Sequence, residues 1–167
     1  MQNWDERSGL RMRIRSWAAF FAEGTLTFWN TSFAKDYRAE AANIYRGPEE
    51  RGYMKVLRDF TIGFDPRATI TSIDVSHPSP VRGYALRGPA GYAAYLHAYT
   101  DHAQPTVGAR VTIDPLAAGT AIWISPATGR LLGKQPVGAG RQTLDVPPFV
   151  TDVALKITGS PPSSTKD

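Results

Sequence analysis

The chain has 167 residues, 42% of them hydrophobic, a formal charge of +4 and no cysteine, which suits one domain or two small ones that fold without a staple. Without cysteine there are no disulfide frameworks, thiol nucleophiles, thiolate zinc sites or iron–sulfur clusters. Nineteen basic residues against 15 acidic ones is too slight an excess for a nucleic-acid footprint, and no apolar run approaches the roughly 20 residues of a membrane span, so neither nucleic acid nor membrane is expected as a partner.

Met1-Gln2-Asn3-Trp4-Asp5-Glu6 lacks the basic-then-apolar layout of a signal peptide. Leu10, Ile14, Trp17, Ala18 and Phe21 then recur at helical spacing. They predict an amphipathic helix from about Asp5 to Glu23, with Arg7, Arg11, Arg13 and Arg15 largely on other faces and read as solvated. Thr25-Leu26-Thr27-Phe28-Trp29 reads as a short strand closed by Asn30 and Thr31. Pro48 suits the first position of a second helix, with Glu49 and Glu50 in its first turn and Tyr53, Val56, Leu57 and Phe60 as its apolar stripe.

All five glutamates fall in the first third of the chain, and every proline except Pro48 lies at or after Pro66. Glutamate suits helices and proline punctuates strands, so a helix-rich segment, 1–64, is expected to join an all-β domain, 65–158, near Phe64-Asp65-Pro66. Apolar runs at 68–75, 81–87, 91–99, 107–113, 119–125, 130–136, 141–146 and 150–158 are separated by turn chemistry such as Gly88-Pro89 and Pro126-Ala127-Thr128-Gly129. They predict a mainly β fold, an antiparallel β-sandwich of about eight strands packed with two helices and a short strand. The serine- and proline-rich tail, 159–167, reads as disordered.

With this organisation in view, two stretches carry a resemblance. Arg13-Ile14-Arg15-Ser16-Trp17-Ala18-Ala19-Phe20-Phe21 followed by Gly24-Thr25-Leu26-Thr27-Phe28-Trp29-Asn30 resembles the seventh helix and eighth strand of a (β/α)8 barrel, with Asn43 through Phe60 as the eighth loop and helix. Trp123-Ile124-Ser125-Pro126-Ala127-Thr128-Gly129 resembles the tryptophan, aspartate, proline, threonine, glycine turn of sandwiches labelled collagen-binding domains, with Ser125 where aspartate is usual. Asp152-Val153-Ala154-Leu155-Lys156-Ile157 looks like their closing strand. The whole resembles the C-terminal end of a clan A glycoside hydrolase. The resemblance implies carbohydrate as partner and puts the acid/base and nucleophile carboxylates on the fourth and seventh barrel strands, ahead of this sequence.

Glycoside hydrolysis needs two carboxyl groups about 5 to 9.5 Å apart. Asp5 and Glu6 are the acidic pair nearest the implied barrel mouth and the candidate catalytic residues, although adjacent acids at a helix start more often cap it. By the same resemblance Trp29 and Asn30 would form a sugar platform at the end of the eighth strand. Alternation along 91–99 puts Tyr95, His97 and Tyr99 on one face and Tyr92, Ala94, Leu96 and Ala98 on the other. If the second face is core, the first offers flat rings with polar edges, a candidate glycan-binding face. No nucleophile elbow, phosphate loop, dinucleotide fingerprint or ligand-spaced histidine motif occurs, so no cofactor and no metal is expected.

The leading expectation is a carbohydrate-active module, the truncated C-terminal portion of a glycoside hydrolase. Its first helix would lie against the sandwich or pair with another copy as a homodimer. The alternatives are a small polysaccharide hydrolase using Asp5, Glu6, Asp101 or Asp114, and a non-catalytic interaction domain.

Overall fold

The computed structural model describes residues 8–24 and 48–159. Helix α1 spans Ser8–Phe21 and helix α2 spans Pro48–Thr61. A left-handed residue follows the end of α1 at Glu23 (φ 51°), one residue before Gly24, whose N–H reaches back to the Ala19 carbonyl at 2.9 Å. At the end of α2 the carbonyls of Phe60 and Ile62 accept hydrogen bonds from Lys156 Nζ at 2.9 and 2.6 Å. A lysine from the sheet therefore caps the helix. Burial lowers the Lys156 pKa from its ordinary value.

Among the described residues nine strands follow: β1 Thr69–Thr71, β2 Asp74–Ser76, β3 Val81–Gly88, β4 Gly91–Ala98, β5 Arg110–Ile113, β6 Gly119–Ile124, β7 Leu131–Val137, β8 Gln142–Asp145 and β9 Asp152–Gly159. They form a six-stranded sheet in the order β1-β3-β4-β9-β6-β7 and a three-stranded sheet in the order β2-β5-β8, with every pairing antiparallel. The predicted β-sandwich packed with helices is thus present. Its strand count differs because the run 68–75 breaks at Ser72-Ile73: Thr69–Thr71 pairs with β3 in the large sheet, and Asp74–Ser76 pairs with β5 in the small one. A chain that changes sheets must pass close to the strand it leaves. Gly83 on β3 allows this, because a Cβ there would stand 2.8 Å from Val75 Cγ2 and 2.9 Å from Ile73 Cγ2.

The large sheet is covered on both faces. Tyr92, Ala94, Leu96, Trp123, Val153 and Leu155 meet Val111, Ile113 and Leu144 of the small sheet in one core. Leu86, Ala93, Tyr95 and Ala154, on the opposite face, meet Trp17 and Phe21 of α1 and Leu57 and Phe60 of α2 in a second core. The architecture is three layers: a helix pair, the six-stranded sheet and the three-stranded sheet. Of the two placements expected for α1, the structure shows the one against the sandwich. Its buried side is rotated from the predicted stripe: Arg13, Ser16, Trp17 and Phe21 are buried, while Leu10 and Ile14 are half-buried.

The predicted junction at Asp65 is a fastening point. Its carboxylate accepts the backbone N–H of Arg67 at 3.0 Å, Arg67 Nε at 3.0 Å and the backbone N–H of Ala90 in the β3–β4 turn at 2.9 Å. The Arg67 guanidinium, with these backbone donors, holds the carboxyl down at about 2. A carboxyl depressed in the folded state contributes stability above its unfolded value of about 4 and loses it as pH falls through the folded value. Between pH 4 and pH 2 the melting temperature of the wild-type chain should therefore fall more steeply than that of Asp65→Asn, as read by circular dichroism. Parallel slopes would mean that this carboxylate does not fasten the junction.

Candidate functional site

Beneath the helices the buried aromatic face of the large sheet ends in a charged pair. Arg13 Nε of α1 donates to Asp152 Oδ2 of β9 at 2.9 Å, with 6% and 2% of the two side chains exposed. Tyr95 Oη donates to the same oxygen at 3.1 Å. Among the described residues the second carboxylate oxygen, Oδ1, accepts no hydrogen bond. The Arg13 guanidinium also lies over the Tyr53 ring of α2, 4.6 Å from its centroid. One pair thus ties both helices to the first residue of β9.

Burial pushes the Asp152 carboxyl above its ordinary range, against the pull of Arg13 and the Tyr95 hydroxyl. Burial, reinforced by the neighbouring Asp152, pushes the Tyr95 hydroxyl well up, so it is a donor at any physiological pH. Burial also lowers the His97 pKa from its ordinary value, and its ring stacks beside those of Tyr84 and Tyr95, with centroids 6.1 and 5.8 Å away.

The pair forms part of a cleft of about 270 Å³ whose lining includes Ser125 and Arg130 of the β6–β7 turn and Leu132, Phe149 and Thr151. The turn is held in shape by two N–H groups, those of Thr128 and Gly129, on the Ser125 carbonyl at 3.3 and 2.7 Å. Gly129 supplies the positive φ of 73° that closes it. Arg130 is exposed, and its guanidinium has no carboxylate partner among the described residues.

The residues predicted from sequence are distributed differently. Asp5, Glu6, Trp29 and Asn30, together with the strand expected at 25–29, lie outside the described residues. The alternation along β4, Gly91–Ala98, places Tyr95 and His97 on one face as read, but the face is not open. Tyr95 is 0% exposed and His97 6%, because α1 and α2 cover this face, and Trp17 stacks on the Tyr95 ring at 5.4 Å. A sugar has no access to either ring. Tyr99 lies beyond the strand and is 48% exposed, with the Arg82 guanidinium over one face at 3.7 Å. The expected glycan-binding row is corrected to a single accessible ring. Asp101 accepts the backbone N–H groups of Ala103 and Gln104 in a turn, and Asp114 accepts Arg87 Nη1 at 2.7 Å. Both are held by partners that shape the fold. Among the described residues no three His, Asp or Glu side chains converge as metal ligands would.

Arg13 corrects a further expectation. It reads from the helical wheel as solvated, yet it is buried and pairs with a residue 139 positions away. The signal was available: Arg13, Trp17 and Phe21 are spaced by four and share one face of α1. Asp152 gave a weaker one, an acid heading the apolar run Val153-Ala154-Leu155.

No family model and no curated protein sequence matches the chain. Among solved structures its fold is similar to that of a glycoside hydrolase, with a TM-score of 0.57 and 17% identity over 95% of this chain. The chain spans 38% of that protein's length, and at this identity the likeness is one of fold.

Proposed function

We propose that this chain is an accessory portion of a clan A glycoside hydrolase, in which a β-sandwich braces the helices that close the end of a (β/α)8 barrel. The observation that carries the reading is the second core: two helices fixed to an outer sheet face by Trp17, Phe21, Leu57, Phe60 and the Arg13–Asp152 pair. A free-standing sandwich keeps such a face for solvent or ligand, whereas here it serves as a platform for helices. The fold likeness to part of a glycoside hydrolase supports the same reading. The structural partners of Asp101 and Asp114 favour a bracing role over a hydrolase built on these two acids.

The test is release of reducing ends from a panel of β-linked polysaccharides by the 167-residue chain, with Asp5→Ala/Glu6→Ala as control. The expected result is no release above background by either protein. Release that the control abolishes would replace the bracing role with a catalytic one centred on the N-terminal acids.

A further inference from the structure

We propose that the cleft between the β6–β7 turn and the start of β9 binds a single acidic sugar ring, its carboxylate on Arg130 and its hydroxyls on Asp152 and its neighbours. The ligand class is read from the cleft itself; the carbohydrate reading above enters only in choosing a sugar over other polyhydroxy acids.

The floor is electrically neutral, Arg13 against Asp152, and holds a carboxylate that is 2% exposed and whose second oxygen has no donor among the described residues. Such an oxygen is an acceptor for ligand hydroxyls and opposes a second anion at the floor. Ser125 and Thr151 stand in the lining, Thr151 Oγ1 donating to the His102 carbonyl at 3.4 Å and keeping its acceptor side, and the half-buried Leu132 adds apolar surface on which the C–H face of a pyranose can rest. Arg130 then gives the lining one cation in excess. A neutral sugar leaves that guanidinium without a partner, and a phosphate dianion would face Asp152 with a single unpaired cation to balance it. A monoanionic polyol uses both groups. The volume of about 270 Å³ lies just below the ~300 Å³ at which pockets for drug-sized ligands begin, so it suits one ring, a terminal or side-chain residue of a glycan.

The experiment is a titration of the full chain, followed by ¹H–¹⁵N NMR, with sodium glucuronate, glucose and sodium acetate in separate arms. Glucuronate should shift the amides of Ser125, Arg130, Thr151 and Asp152 with a dissociation constant on the order of 1 mM, about tenfold tighter than glucose or acetate. Arg130→Ala removes an exposed side chain, leaves the buried pair intact, and should abolish the preference for glucuronate over glucose while the rest of the spectrum stays in place. No shift at these amides in any arm overturns the site. Acetate binding as tightly as glucuronate would make it an anion contact without sugar recognition, and glucose binding as tightly would remove the role of Arg130; either overturns the proposal. Reducing-end release is measured separately, so failure here leaves the bracing reading as it stands.

Discussion

Replacing Arg13 with methionine should cost about 3 to 5 kcal/mol of folding stability, the loss seen when one partner of a buried ion pair is removed. Asp152 would be left with the Tyr95 hydroxyl alone in a site where its side chain is 2% exposed. For a domain of this size the melting temperature should fall by roughly 10 °C. The pH dependence identifies the cause. Burial already raises the Asp152 carboxyl with Arg13 present, and removing the cation raises it further. A group raised in the folded state contributes stability below its unfolded pKa of about 4 and loses it as pH rises through the folded value. The deficit of Arg13→Met should therefore shrink as pH is lowered from 7 towards 4. Removing all three polar groups together, in Arg13→Met/Tyr95→Phe/Asp152→Leu, leaves no buried orphan and should recover most of the loss. Urea unfolding at three pH values checks both statements. A pH-independent deficit, or a triple variant no better than the single one, would show that the arginine acts by packing alone.

Trp17→Ala should have an effect of similar size, about 3 to 5 kcal/mol, for an unrelated reason. Trp17 of α1 joins the other two partners of the second core at shorter ring distances than Phe21 does: it stacks on Tyr95 of the sheet at 5.4 Å and meets Phe60 of α2 at 4.9 Å, against 6.1 and 6.2 Å for Phe21. Truncation opens a cavity between rigid elements that cannot collapse into it. The first core, between the two sheets, is built from other residues, so the loss should be local. Hydrogen exchange should show α1 and α2 opening at a much lower free energy than in the wild type, while β4 and β9 keep most of their protection. Equal loss across helices and sheet would mean that the two cores unfold as one unit and that the helices are not a separately braced layer.

The outline of this fold was readable from residues one at a time. Pro48 with Glu49 and Glu50 marked the start of α2 because proline and acids suit the first turn of any helix. The turn residues divided the β region within a few positions of the observed strands, since their preferences are those of the local backbone. The parity of Tyr95 and His97 on β4 was equally local, set by the two-residue repeat of a strand. What covers a face is a different kind of fact. Nothing within 91–99 states that α1 and α2 lie on the Tyr95 side, and an alternating strand reads the same whether its polar-edged rings meet water or a helix. The same holds for the break at Ser72-Ile73, where one apolar run divides between sheets only because Gly83 lets it pass. Arg13 and Asp152 show the difference most sharply. Each was placed on an element by its neighbours in sequence, but their pairing across 139 positions exists only once the helix lies on the sheet. The sequence by itself determined α2, the order of most strands and which residues of β4 share a face; tertiary structure alone decided which faces are covered, because burial is a property of what packs against an element and not of the element.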